Sequence, residues 1–245
     1  MSDDVLLNVQ SGVGEVILNR PARKNAITGP LGVALADRLT EASDRDDINV
    51  IVLSGAEGAF CSGLDLGEFN RDPAPAWLAD FSSIWRAAHK ALFECKKPIV
   101  GALESYAING GAALALACDL LIVGKNAFLQ VGEVQIGMAA PYNMAWLSLR
   151  HNEQTMAQLA LLGERINGTE LKSMKLAHKA VDDSEVLAVA RSLAARLSEY
   201  PEGGLMRIKA GLRARLEDDA DAWFDRFTQR DPVGKSPKPS SMKGR

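Results

Sequence analysis

Two stretches of this chain end in glycine turns that leave a backbone N–H free to meet a ligand. One runs Glu104-Ser105-Tyr106-Ala107-Ile108-Asn109-Gly110-Gly111-Ala112-Ala113-Leu114 and on to Cys118-Asp119. Paired glycines after an apolar run, then small residues and leucines at helical spacing, predict a strand–turn–helix junction. The first turn of such a helix has unpaired N–H groups and a partial positive charge, and glycine lets a ligand oxygen approach. Gly110 is the donor this predicts, although the same glycines also suit a plain tight turn under an alanine-rich helix. The other stretch is Gly58-Ala59-Phe60-Cys61-Ser62-Gly63-Leu64-Asp65-Leu66, which follows the apolar run Val50-Ile51-Val52-Leu53. Its free donor is the N–H of Leu64. Two such groups converging on one oxygen form an oxyanion hole, which stabilises an enolate or a tetrahedral anion in a dry site.

Strands must deliver these turns and helices must carry the chain away. Residues 5–9 and 14–18 flank Gln10-Ser11-Gly12-Val13 and predict a β-hairpin. Thr28 or Gly29-Pro30 opens a helix that runs to about residue 41. Residues 49–53 and 97–103 are the strands before the two turns. Strands alternating with helices, without sequence repeats, predict an α/β core rather than a solenoid. Residues 67–80, polar with Pro73 and Pro75, predict a mobile loop. Phe81, Ile84, Trp85, Ala88, Leu92 and Phe93 recur at helical spacing, with Trp85 read as core rather than ligand platform. From about residue 155 the chain reads as helical, with Ser184 an N-cap and Pro201 starting a later helix. Trp223, Phe224 and Phe227 form a final aromatic docking face. The division is a core over 1–198, a C-terminal helical region over 199–230, and a polar tail over 231–245, expected to be flexible.

The 245 residues are 47% hydrophobic and 24% charged, which suits one globular unit with a full core. A net charge of −3, with no lysine or arginine run before the tail, argues against nucleic-acid and anionic-membrane partners. Cys61, Cys95 and Cys118 suit a reducing compartment, and scattered His89, His151 and His178 offer no metal-ligand spacing. An acidic start and the lack of a membrane-length apolar run predict a soluble, cytoplasmic protein.

Together the two glycine turns resemble the crotonase (enoyl-CoA hydratase/isomerase) superfamily. The first resembles its Phe-x-x-Gly-x-Asp-Leu segment, and the second its glycine-rich segment ending in Cys-Asp. Leu18-Asn19-Arg20-Pro21 with Asn25-Ala26, and Leu161-Leu162-Gly163-Glu164-Arg165-Ile166, match in the same order. The resemblance runs from about Asn8 to about Lys209. It implies a spiral of ββα units, two roughly perpendicular sheets and a C-terminal helical region. It also implies an acyl-CoA thioester substrate, coenzyme A entering only as part of that substrate with no permanently bound cofactor, and assembly as a homotrimer or a dimer of trimers. Leu64 and Gly110 become the oxyanion donors. Arg23, Lys24, Ala26, Ser62, Asp65, Leu66, Gly111 and Tyr142 become candidate coenzyme or substrate contacts. Arg23 and Lys24 suit the 3′-phosphate, and equally suit a solvated loop. Tyr142 or Asn143 either binds substrate or packs at a subunit contact.

Ala127-Phe128-Leu129-Gln130-Val131-Gly132-Glu133-Val134-Gln135-Ile136-Gly137 resembles the segment in which hydratases and isomerases of this family carry a catalytic glutamate, here Glu133. Apolar neighbours favour its neutral form and bring its pKa toward useful values. The family's hydratases use a second glutamate, whose position holds Ala113. One carboxylate resembles the double-bond isomerases, so isomerisation is the first expectation. Hydration with a water held by Tyr142 or Asn143 is second, and decarboxylation or C–C bond formation stays open. The aspartate nucleophile of the family's dehalogenases would fall near Pro141 and is missing. Two other classes remain: a non-catalytic scaffold or RNA-binding relative, and nucleophilic hydrolysis through Cys61 or Ser62.

Overall fold

The computed structural model describes residues 3–201 and 203–229. The expected hairpin is present, with β1 (Val5–Gln10) and β2 (Gly12–Leu18) antiparallel and Gly12 at the φ of 78° its turn requires. Thr28 Oγ1 accepts from the Leu31 N–H and Pro30 sits in the first turn, so α1 (Gly29–Asp44) starts where its sequence signals lie. β3 (Ile48–Gly55), α2 (Leu66–Phe69), α3 (Phe81–Glu94), β4 (Ile99–Leu103), β5 (Tyr106–Ile108) and α4 (Gly110–Ala117) follow. Next come β6 (Leu120–Gly124), β7 (Phe128–Gln130), α5 (Pro141–Arg150), α6 (Glu153–Leu162), β8 (Arg165–Asn167) and α7 (Gly168–Ser173). β9 (Lys179–Val181), α8 (Val186–Ser198), α9 (Gly204–Arg213) and α10 (Ala220–Thr228) complete the described chain.

One sheet has the order β1-β2-β3-β4-β6-β9, and a smaller one β5-β7-β8. The chain alternates between them, with β4 and β6 in the large sheet and β5 and β7 in the small one, and so it winds as a spiral. Isolated bridges Ile27–Leu64 and Cys61–Ala107 extend the same pattern to earlier turns of the winding. Each turn thus lays its second segment beside that of the turn before. This brings two glycine loops, distant in sequence, side by side.

Both faces of the large sheet are covered, which explains the unbroken apolar runs of its strands. Ile51, Leu53, Ile99, Leu103 and Val123 join Leu31, Leu35, Trp85 and Leu92 in the main core. Val50, Val52, Val100, Ala102 and Ile122 pack under Val186, Ala190, Leu193 and Ala194 of α8. α4 is apolar and buried from Gly111 onward, a core helix rather than an amphipathic one.

Four expectations need correction. The region after residue 155 is not only helical, because β8 and β9 each close one edge of a sheet. Ser184 does not cap α8: it lies inside a 3-10 turn, Asp183–Glu185, and no side chain caps the helix. Pro201 precedes α9 by a turn, its carbonyl accepting the Gly204 N–H. Residues 67–80 are not all loop, since they carry most of α2 and a 3-10 turn at Ala76–Leu78, with Phe69 edge-on to Trp77 and Phe81 at 5.1 and 4.7 Å. Phe224 is fully buried against Trp146 and Phe93, so the last aromatic cluster docks α10 onto the body. The tail expected over 231–245 lies outside the described residues. Among the described residues no helix is long and apolar enough to cross a membrane.

Candidate active site

A cleft of about 890 Å³ opens at the N-terminal end of α4, and both Leu64 and Gly110 line it. Among the described residues, neither N–H donates to a protein acceptor. The segments that carry them are stitched together. The Cys61 N–H donates to the Tyr106 carbonyl and the Ile108 N–H to that of Cys61, each at 3.1 Å. On the other side the Ile27 N–H donates to Gly63 at 2.8 Å and the Asp65 N–H to Ile27 at 3.0 Å. The glycines serve this contact. Gly63 sits at φ 89°, where a Cβ would come within 3.0 Å of the Ile108 carbonyl oxygen. At Gly111 a Cβ would lie 2.6 Å from the Cys61 oxygen.

Glu133 lines the same cleft, on a 3-10 turn that follows β7. Asn109 holds that turn against the glycine turn: its N–H donates to Gln130 and its Oδ1 accepts from the Gly132 N–H, both at 2.8 Å. It does so at φ 52° and ψ −113°, outside the left-handed helical region and strained for a residue with a Cβ, so these hydrogen bonds hold the turn in place. Asn143 Nδ2 donates to Glu133 Oε1 at 2.8 Å and to the Asn109 carbonyl at 3.1 Å. Burial pushes the Glu133 carboxyl up to about 7, outweighing the hydrogen bonds that favour its charged form. Glu133 Oε2 and Asn143 Oδ1 are buried without a hydrogen-bond partner among the described residues. Sequence reasoning gave Asn109 no role. The one signal was an asparagine directly before paired glycines.

Ala113, fully buried, also lines the cleft and brings no polar atom. Ser62, Leu66 and Tyr142 line it as well. The Tyr142 ring stacks on His89 with centroids 4.1 Å apart, and burial pushes its hydroxyl up to about 12. Trp85 belongs to the main core, as expected, and also forms part of the cleft wall. The thiol of Cys61 is fully buried and pushed up to about 12 by burial, which removes the thiolate that nucleophilic hydrolysis would need.

Arg23, Lys24, Ala26, Asp65 and Gly111 are not among the residues lining the cleft. The Ala26 carbonyl accepts from Arg20, and Gly111 is packed on Cys61. Asp65 is committed elsewhere. Its carboxylate takes Arg23 Nη2 at 2.8 Å and Arg20 Nη2 at 3.1 Å, and caps α2 through the Glu68 N–H. Arg23, paired in this way, presents less of its charge to a phosphate. Lys24 is exposed, with its ammonium 6.0 Å from the centre of the Tyr106 ring.

Burial pushes the Asp65 carboxyl up, but hydrogen bonds from Arg23 and Arg20 outweigh it and hold the group below the usual carboxylate range. Its contribution to stability is therefore present at neutral pH and lost as pH falls through the depressed value. Asp65→Asn is expected to cost about 2–3 kcal/mol at pH 7, less than the ~3–5 of a fully buried pair, because the Arg23 side chain is 56% exposed. Urea denaturation at pH 7 and pH 3 (roughly, spanning the carboxylate range) should show the gap between wild type and variant closing in acid. A gap that did not change with pH would remove the ion-pair assignment.

A family model described as enoyl-CoA hydratase/isomerase matches residues 8–229. The 1,2-epoxyphenylacetyl-CoA isomerase of Escherichia coli (strain K12) is 29% identical over 229 residues, covering 92% of this chain and 87% of that protein. The carnitinyl-CoA dehydratase of Proteus mirabilis (strain HI4320) is 30% identical over 219 residues, covering 89% and 83%. An enoyl-CoA hydratase/isomerase crystal structure from Mycobacterium paratuberculosis superimposes with a TM-score of 0.83 at 26% identity, covering 93% of this chain and 91% of that one.

Proposed function

The chain belongs to the enoyl-CoA hydratase/isomerase family, and we propose that it moves the double bond of a 3-enoyl-CoA thioester into conjugation, with Glu133 as proton carrier. The carboxylate takes a proton from the carbon next to the thioester. The released electron pair makes that oxygen an enolate, which the N–H groups of Leu64 and Gly110 hold. Removing one such donor typically costs about 10²–10³ in rate. As the enolate collapses, the double bond shifts toward the thioester and the same carboxyl returns its proton to the γ carbon. Bonds and protons balance without a second acid.

One observation carries this reading: Glu133 is the sole carboxyl among the described residues lining the cleft, and Ala113 stands where a second would be needed. A carboxyl raised to about 7 is partly charged and partly protonated near neutral pH, as a group that must take and return a proton requires. Ser62, Leu66 and Tyr142 are placed against the acyl group, and Lys24 is the loop cation assigned to the coenzyme's 3′-phosphate.

A second reading, hydration, is favoured by Glu133 Oε2 and Asn143 Oδ1, two buried acceptors without partners that suit a held water. An NMR time course in deuterated water with 3-enoyl- and 2-enoyl-CoA separates the two. Double-bond migration with deuterium uptake and no 3-hydroxyacyl product is the expected result. Hydroxyacyl product from the 2-enoyl ester would replace isomerisation by hydration.

A further inference from the structure

A second cavity, of about 600 Å³, lies at the other end of α4 and shares no lining residue with the cleft. The two ends of this eight-residue helix are about 12 Å apart. Among the described residues, Arg150, Lys172, Lys175, Arg213 and Arg215 line this cavity against a single acid, Asp119. They come from α5, from α7 and the chain just after it, and from the end of α9 and the turn beyond it, so the convergence is made by the fold and not by a run of basic sequence.

Asp119 cannot balance them. Its carboxylate already meets Lys209 at 2.8 Å and Arg150 at 3.3 Å, with Arg213 at 4.0 Å, and it accepts the Ile99 N–H at 2.9 Å. Arg150 gains the Ala117 carbonyl at 2.7 Å and Arg215 reaches the Leu149 carbonyl, but a carbonyl supplies only partial charge. Arg213 is worse served. Its Nε and Nη2, the edge that grips an oxyanion side-on, are buried without a hydrogen-bond partner among the described residues. Arg150 Nε is in the same state. The rings of Phe93 and Trp146, at 5.4 and 5.9 Å, give the Arg213 guanidinium a surface to lie on but no acceptor. Burial and the neighbouring Arg150 together hold Arg213 well below its ordinary value, at about 10. Unpaired buried donors and uncompensated like charge are both relieved by one bound anion.

We propose that this cavity binds a phosphate-class oxyanion, with Arg213 as a forked donor, Arg150 giving its Nε–H, and Lys172 and Lys175 as point charges at the mouth. Two charges on the ligand answer the excess of cations better than one. The room beyond a single phosphate leaves space for a phosphate ester.

The test is a calorimetric and phosphorus-NMR titration of the full chain with inorganic phosphate at low salt. Saturable binding at one site per chain is expected, weakening with added chloride. Lys172 and Lys175 are exposed, so the Lys172→Glu/Lys175→Glu double variant leaves the core untouched. It should lose at least about tenfold in affinity, and Arg213→Gln at least as much. Repeating the titration with a small phosphate monoester such as glycerol phosphate tells a phosphate ester from free phosphate as the better ligand. Absence of saturable binding, or binding that the double variant leaves unchanged, would overturn the proposal. So would phosphate-insensitive protein whose double variant sediments as smaller species, because the cations would then be paired with carboxylates of a second copy.

Discussion

Glu133→Gln is expected to lower kcat by about 10²–10⁴-fold with little change in KM, because it removes a proton carrier and keeps the shape of the side chain. Wild-type kcat/KM should rise as pH passes through about 7, since the charged form takes the first proton. Stability should move the other way. The folded-state pKa of this carboxyl is raised, so its contribution is fully present below the ordinary value of 4.5 and is lost as pH climbs through about 7. The whole shift corresponds to on the order of 3 kcal/mol. Glutamine does not ionise, so at and above pH 7 the variant should keep the stability that wild type loses between about 4.5 and 7. A protein both less active and, in mild alkali, more stable is the signature of a carboxyl held in an unfavourable place for its chemistry. Thermal melts of the two proteins across pH, beside the rate profile, would expose the opposite result: parallel melting curves, or unchanged turnover.

Gly111→Ala carries the second large expected effect. The added methyl would lie 2.6 Å from the Cys61 carbonyl oxygen and 2.9 Å from its sulfur. Backbone cannot yield as a side-chain tip does, so the start of α4 must move away from the Cys61–Leu64 segment. In the proposed mechanism the N–H groups of Leu64 and Gly110 could then no longer share one oxygen. The expected loss in kcat is about 10²–10³-fold, the worth of one oxyanion donor. Overpacking adds a destabilisation of about 1–3 kcal/mol. Gly204→Ala in α9, where the methyl meets nothing within 4 Å, is the matched control and should leave kcat unchanged. Steady-state rates beside urea melts distinguish the effects, since lost stability alone would leave the kcat of the folded fraction intact.

The parts of this fold that were legible in the sequence are those whose signal is local. Thr28-Gly29-Pro30 announces α1 because a hydroxyl cap and a fixed φ act within one turn. The run from Val50 to Leu53 announces β3 because a strand covered on both faces needs apolar residues at every position. β7, β8 and β9 were not seen, since each has only three residues, too few to show a period, and each is ordered by partners elsewhere in the chain. The fate of Arg23 was hidden for the same reason: it is decided by Asp65, 42 residues away.

Chain order by itself determined the two glycine turns, the glutamate at position 133 and the alanine at position 113, and from the turns the family. Tertiary structure alone decided that Gly63 and Gly111 are spacers between two backbones. It also decided that Asn109 and Asn143 tie Glu133 to the glycine turn across 23 and 34 residues. It decided the proton affinity of Glu133 as well. The identity of a carboxyl is written in one residue, but its pKa depends on how much water and which donors surround it, and those come from segments that meet only when the spiral closes.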